Sequence, residues 1–332
     1  MIRRTLLASA AALAMMAGAA FAEDAKPAIV FDIGGKFDKS FNESMFNGAE
    51  KFKTESGVAY GEFEIANEAQ REQAIRNFAD QGYSPIIAAG FAQAAAVEKV
   101  AKEYPDLKFA IIDMVVDQPN VESIVFKEQE GSYLVGIMAA MASKSGKVGF
   151  VGGMDIPLIH KFACGYVQGV KATKADATVF QNMTGDTGAA WNDPVKGGEI
   201  TKGQMAKGAD VVYAAAGATG LGVLQAAADG GALSIGVDAN QNYLHPGKVL
   251  TSMVKRVDVA VYNVMKGGVA GFKPGIQALG LAEDGVGYAM DDNNKPLVTA
   301  EMQAAVDKAK ADIVSGALKV HDYMEDNKCP AE

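Results

Sequence analysis

Histidine and cysteine are scarce in this chain. The three histidines, His160, His245 and His321, stand in unrelated settings, and none has the spacing of a metal ligand pair. No Gly-x-Ser-x-Gly elbow is present. Gly35-Lys36 is not followed by Ser or Thr and lacks the first glycine of a phosphate-binding P-loop. Gly217-Ala218-Thr219-Gly220-Leu221-Gly222 follows one apolar run and opens another, but its glycine spacing is not the dinucleotide fingerprint. These absences predict a protein that is not an enzyme and carries neither cofactor nor metal.

Basic residues are also in deficit, 31 against 40 acidic. Long apolar runs are missing except at the start. Arg3 and Arg4 precede an apolar stretch, Leu6 to Ala20, that is short for a bilayer span and ends at the small-residue cleavage pattern Ala20-Phe21-Ala22. This predicts a signal peptide over 1–22 and a mature chain from Glu23. No cysteine lies near the cut, so the expectation is a soluble protein free in the periplasm of a Gram-negative cell, not lipid-anchored. The mature chain keeps 29 basic residues against 40 acidic, a net charge of −11. Such a surface disfavours nucleic acid and anionic membranes as partners. The two cysteines, Cys164 and Cys329, are bound for an oxidising space and could form one disulfide that ties down the tail; sequence leaves the pairing open.

What the chain does have is alternation. About 310 mature residues suffice for two ordinary domains, and 49% hydrophobic content supports full cores. Ala28–Asp32, Pro85–Ala89, Lys108–Ile112, Lys147–Val151, Val211–Ala215 and Leu233–Val237 read as short buried strands. Ser40–Lys53, Ala69–Gln81, Ala92–Glu103, Ile156–Thr173, Val195–Lys207 and Gly220–Asp229 read as helices, the first opened by a Ser40/Glu43 capping box. Strands alternating with helices make parallel sheets covered on both faces.

The second half echoes the first. Gly90 precedes Asp113 by 23 residues and Gly217 precedes Asp238 by 21. Phe41 precedes Gly48 by seven, as Phe162 precedes Gly169. The order of these matches predicts two α/β lobes of one topology, with a ligand held where the carboxyl ends of their strands face each other. Asp32, Gly90, Asp113, Gly217 and Asp238 would line that cleft, although an Asp after a strand is also a common turn or capping residue.

Ionised carboxylates only accept hydrogen bonds. Three of them in one cleft predict a ligand rich in N–H and O–H donors, such as a sugar, nucleoside or amine, and exclude an anion. Phe41 and Trp191, the chain's one tryptophan, could sandwich a planar ring. Phe41 also fits a core stripe with Met45, Ala49 and Phe52, whereas Trp191 sits in a polar, glycine-rich loop that favours exposure.

Several runs resemble a known family. Asp32-Ile33-Gly34-Gly35, Asp38-Lys39-Ser40-Phe41-Asn42, Phe46-Asn47-Gly48, Trp191-Asn192-Asp193-Pro194, Ile235-Gly236-Val237-Asp238 and Leu250-Thr251-Ser252-Met253-Val254-Lys255 look like segments of the basic membrane protein family, substrate-binding proteins of ABC importers, and most closely its purine-nucleoside receptor type. The likeness runs from about Ala28 to Ala270. It implies a type I periplasmic-binding-protein fold, two doubly wound parallel-sheet lobes with a ligand cleft between them, over 23–126 with about 255–285 and about 127–254 with 286–332. It implies capture of a purine nucleoside such as inosine, guanosine or adenosine by a monomer that docks on ABC permease and ATPase subunits. Carried onto matching positions, Phe41 would stack on the base, and Asp32, Asn42 and Asp113 would bond polar edges of the ligand. Asp238 would accept from ribose hydroxyls, and Lys255 would donate to ribose or brace Asp238. Trp191 would be the second stacking residue, with Tyr213 as its substitute, and Gly217 would border the ligand. A sensor subunit presenting the ligand to a membrane receptor is the other role this pattern fits. A repressor core is disfavoured by the export signal and the lack of DNA-binding helices ahead of it.

Overall fold

A computed structural model describes residues 26–331, so the expected export signal and its expected cleavage site lie outside the described residues. The chain builds two six-stranded sheets. The first holds β1 (Ala28–Phe31), β2 (Gly61–Glu64), β3 (Ile86–Ala88), β4 (Phe109–Ile112), β5 (Val121–Phe126) and β11 (Gly275–Leu279) in the order β11-β5-β4-β3-β1-β2, all parallel. The second holds β6 (Lys147–Met154), β7 (Thr178–Gly185), β8 (Val211–Ala215), β9 (Leu233–Asp238), β10 (Val249–Lys255) and β12 (Val286–Tyr288) in the order β12-β10-β9-β8-β6-β7. Only β12 runs antiparallel, against β10. Strands one to five and six to ten therefore share one doubly wound order, the topological form of the internal echo.

The central strands are apolar on both faces because helices cover both. β1, β3, β4 and β8 are buried at every residue. The strands that the apolar-run reading missed include the polar, partly exposed edges β2 and β7. Helix α4 (Glu128–Ala142) was missed for the opposite reason: it is buried nearly all round and shows no stripe. Helices α8 (Val257–Gly267) and α9 (Ala300–Val314) are also additional to the sequence reading.

The chain passes between the sheets three times: through α4 after β5, through α8 after β10, and between β11 and β12. Helix α1 (Phe41–Ser56) packs on α8, and α5 (Pro157–Thr173) packs on α4. The glycines of the Phe-to-Gly echo make these crossings close. A Cβ on Gly48 would lie 2.2 Å from the Asp258 carbonyl oxygen, and one on Gly169 would lie 2.1 Å from that of Tyr133. The echo thus records a packing requirement repeated in each half.

One expected device is absent. Ser40 makes no side-chain cap on α1. Asp38 does so instead, accepting from the backbone N–H groups of Ser40, Asn42 and Glu43 at 2.8, 3.0 and 3.1 Å. Glu43 pairs with Lys39, and the Ser40 hydroxyl is drawn across to Asp238 of the other sheet. Cys164 and Cys329 form a disulfide with Cα atoms 5.5 Å apart, fastening the tail to α5. Among the described residues no helix is long and apolar enough to cross a membrane, and no cluster of His, Cys, Asp or Glu could hold a metal ion.

Candidate ligand-binding cleft

The carboxyl ends of the two sheets meet around a cavity. Asp32, Phe41, Asn42, Gly90, Asp113, Trp191, Gly217, Asp238 and Lys255 all line it. Tyr213 does not. It is fully buried on β8, packed edge-on to Phe150 with Tyr166 beside it, and so is no substitute for Trp191.

Asp113 and Asp238 hold equivalent places after β4 and at the end of β9. Both adopt left-handed backbone, φ 70° and 63°. That conformation is uncommon without glycine, though Asp tolerates it better than most residues. Gly90 and Gly217 also have positive φ, 87° and 57°. A Cβ on Gly90 would come within 3.2 Å of Asp32 Oδ2, and one on Gly217 within 3.4 Å of the Trp191 carbonyl oxygen.

The carboxylates do not wait for a ligand to supply every donor. Asp32 pairs with Arg71 at 3.2 Å. Asp113 meets the Lys255 ammonium at 2.7 Å, and Asp238 accepts from Ser40. Lys255 braces Asp113 and Glu128 rather than Asp238 as a direct partner. Its ammonium also lies 5.4, 5.0 and 5.5 Å from the ring centroids of Phe41, Phe126 and Phe162, a cage that stabilises a buried cation. Asn42 spends its amide on the end of β1: it accepts from the Asp32 N–H and donates to the Asp32 carbonyl, both at 3.2 Å. One N–H and one lone pair of that amide are left for other partners.

Burial sets the electrostatics. It pushes Asp38, Asp113 and Asp238 up to about 6, against the α1 backbone N–H groups in the first case and against Lys255 in the other two. Asp32 is raised too, with Arg71 pulling it back. Lys255 is raised because its surrounding carboxylates outweigh the burial that disfavours its charge.

Trp191 is half-buried in a short 3-10 turn, Gly188–Trp191, rather than exposed in an open loop. Its indole lies on Gly153, where a Cβ would stand 2.2 Å from ring carbon Cζ3. The sequence reading missed Asp38, Phe91, Leu158, Ile159 and Phe162 in the lining. Phe162 was within reach, because it is the echo of Phe41.

The cleft, with its echoed strand ends, is the geometry of a two-lobed solute receptor. The family model described as ABC transporter substrate-binding protein PnrA-like matches residues 25–322. The chain belongs to this family of ABC transporter substrate-binding proteins. An ABC transporter nucleoside-binding protein of Lactococcus lactis is 34% identical over 90% of this chain and 89% of its own length. A CD4+ T-cell-stimulating antigen of Listeria monocytogenes is 35% identical over 90% and 88%. An ABC transporter solute-binding protein from Aeropyrum pernix has the same architecture at TM-score 0.81 and 30% identity, covering 89% of this chain and 92% of that one. A periplasmic solute-binding protein of Actinobacillus succinogenes shares the fold at TM-score 0.60 and 16% identity, over 81% and 98%. The fold is the type I solute-binding fold, and membership carries with it a small-molecule ligand and transporter partners.

One expectation is corrected here. Three Pyrococcus relatives, 36–37% identical, are named lipoproteins. The names of these relatives point to lipid-anchored, membrane-associated proteins, and the comparisons support no free form. The expectation of a protein loose in the periplasm is withdrawn.

Proposed function

We propose that this substrate-binding protein captures a neutral purine nucleoside by closing its two lobes, over 23–126 with about 255–285 and about 127–254 with 286–332. The observation that carries the reading is the charge pattern of a mainly apolar cavity. Asp32, Asp38, Asp113 and Asp238 line it with one ammonium, that of Lys255. Buried carboxylates want donors and repel a phosphate, while the apolar walls want a flat hydrophobic body. The nucleoside-binding relative in Lactococcus lactis supports the same ligand class.

In this reading Phe41 and Trp191 take the two faces of the base. Asp32, Asp113 and the free amide valences of Asn42 take its polar edges. Asp238 accepts from ribose hydroxyls with the oxygen that Ser40 leaves free, and Lys255 donates beside it. Gly90 and Gly217 let the base approach the backbone. Closure is a population shift driven by contacts that exist only when both lobes touch the ligand, and it breaks no bond. One chain supplies both walls, so the monomer is the working unit, handing its ligand to an ABC permease driven by ATPase subunits.

Calorimetric titration with inosine, guanosine, adenosine, hypoxanthine and inosine monophosphate tests the reading. One nucleoside per chain should bind and the nucleotide should not. Tight binding of the nucleotide with no nucleoside response would overturn it.

A further inference from the structure

A line of buried charges leaves the cleft floor and ends on the C-terminal tail. Lys255 Nζ lies 2.7 Å from Asp113 and 2.9 Å from Glu128 Oε1. The other Glu128 oxygen is 3.0 Å from Lys161 Nζ, which lies 3.2 Å from Asp322 Oδ2 and donates to the Phe126 carbonyl at 2.7 Å. Signs alternate along the whole line. Glu128 is fully buried at the start of α4, where the chain leaves the first sheet for the second. Lys161 is buried on α5, and Asp322 belongs to the tail that the disulfide holds. Neither Lys161 nor Glu128 lines the cavity.

Lys255 alone cannot neutralise two buried carboxylates, and an unpaired charge in a dry interior is strongly unfavourable. Lys161 supplies the second cation. We propose that Lys161 and Glu128 are positioning residues for ligand binding: they fix the Lys255 ammonium at the cleft floor and so keep Asp113 an ionised acceptor. Burial opposes the charge on Glu128, yet Lys255 and Lys161 together hold its carboxyl below the ordinary range. Lys161 is raised despite burial by Glu128 and Asp322. Asp113 faces Lys255, Glu128 and Asp238 and is raised instead. Removing the Lys161 charge leaves Glu128 and Asp113 competing for one ammonium, and one of the two must take a proton near neutral pH.

The test has a ligand-free arm and a binding arm, and only the second rests on the nucleoside reading. Carboxyl-carbon NMR titrations would follow Asp113 and Glu128, assigned with Asp113→Asn and Glu128→Gln. Lys161→Met should raise the midpoint of one of the pair by about one pH unit or more, and Lys161→Arg should restore it. Asp322→Asn, at the partly exposed end, should move the pair the other way, since Lys161 then serves Glu128 alone. Inosine and hypoxanthine should both bind Lys161→Met about ten-fold more weakly, because Asp113 faces the base. Unmoved midpoints in the folded variants overturn the proposal, and if Lys161→Met does not fold, Asp322→Asn decides. Wild-type protein that binds no inosine would refute the ligand reading alone, because the titration still stands.

Discussion

The Ser40 hydroxyl donates to Asp238 Oδ2 across the cleft, joining residues 198 positions apart and rooted in different sheets. Beside it Gln241 Nε2 donates to the Lys39 carbonyl at 2.9 Å. With Asp113–Lys255, these contacts hold the lobes together through protein atoms alone. Ser40→Ala should therefore shift the ligand-free protein toward an open form. A hydrogen bond to a charged group contributes about 1.5–3 kcal/mol, so the closed-to-open ratio should fall by roughly ten-fold or more. Small-angle scattering reads this as a larger radius of gyration without ligand and an unchanged one at saturation. Identical ligand-free curves would remove Ser40 from the closure mechanism.

Asp238→Ala should discriminate between ligands. If Asp238 accepts from ribose, its loss should weaken nucleoside binding about ten- to a hundred-fold and leave the free base nearly untouched. Equal losses in parallel titrations would move Asp238 off the ribose.

The strand ends were legible because α/β alternation fixes where cleft residues must fall. Asp32, Gly90, Asp113, Gly217 and Asp238 follow apolar runs, and all line the cavity. Pair partners were not legible. Nothing local marks Arg71, on a helix well beyond β1, as the partner of Asp32, or Glu128 and Lys161 as supports of Lys255. These contacts depend on crossovers that bring distant segments together. The Ser40 cap failed because the neighbouring Asp38 carboxylate took the first-turn N–H groups while the Ser40 hydroxyl turned to donate to Asp238. Edge strands β2 and β7 escaped because nearly all their residues are at least partly exposed, and α4 because nearly none are.

Acid should act on stability and on binding in opposite directions. Asp38, Asp113 and Asp238 are raised by burial from an ordinary 3.8 to about 6. A folded pKa above the unfolded value means that the native state binds protons first. These groups therefore add stability as pH falls from above 6 toward 4, and lose that contribution as pH rises through 6. If ligand binding uses the ionised acceptors, it should weaken over the same interval. Thermal melts of ligand-free protein should hold or rise from pH 7 to 5 while nucleoside affinity drops, by up to about ten-fold per pH unit per group. A melting temperature and an affinity that fall together would contradict the assignment.

The disulfide spans 165 residues. A closure of that length limits the unfolded chain, and its removal typically costs about 2–5 kcal/mol. Cys329→Ser should lower the melting temperature markedly, and reductant should do the same to the wild type but not to the variant. Two alkylatable thiols in unreduced, unfolded wild-type protein would show the bond absent.

Trp191 offers the most direct view of ligand capture. As the chain's one tryptophan it supplies all red-edge-excited emission. The residue is half-buried, its ring lies against Gly153, and it lines the cavity. A purine stacking there should quench or blue-shift the emission, saturating at one ligand per chain. Trp191→Ala should weaken binding by about 1–3 kcal/mol, as base–aromatic stacking does elsewhere, and change the ligand-free melt only modestly, because the indole is not core-enclosed. Gly153→Ala gives an independent check: its methyl would stand 2.2 Å from the indole, so the ring must move, and affinity should fall with Trp191 still present. Were Trp191 only packing, Trp191→Ala would lose about 3–5 kcal/mol of stability or less according to burial and Gly153→Ala about 1–3 kcal/mol by overpacking, while binding stayed at wild-type strength. Binding seen by calorimetry alongside flat Trp191 emission would end the stacking assignment.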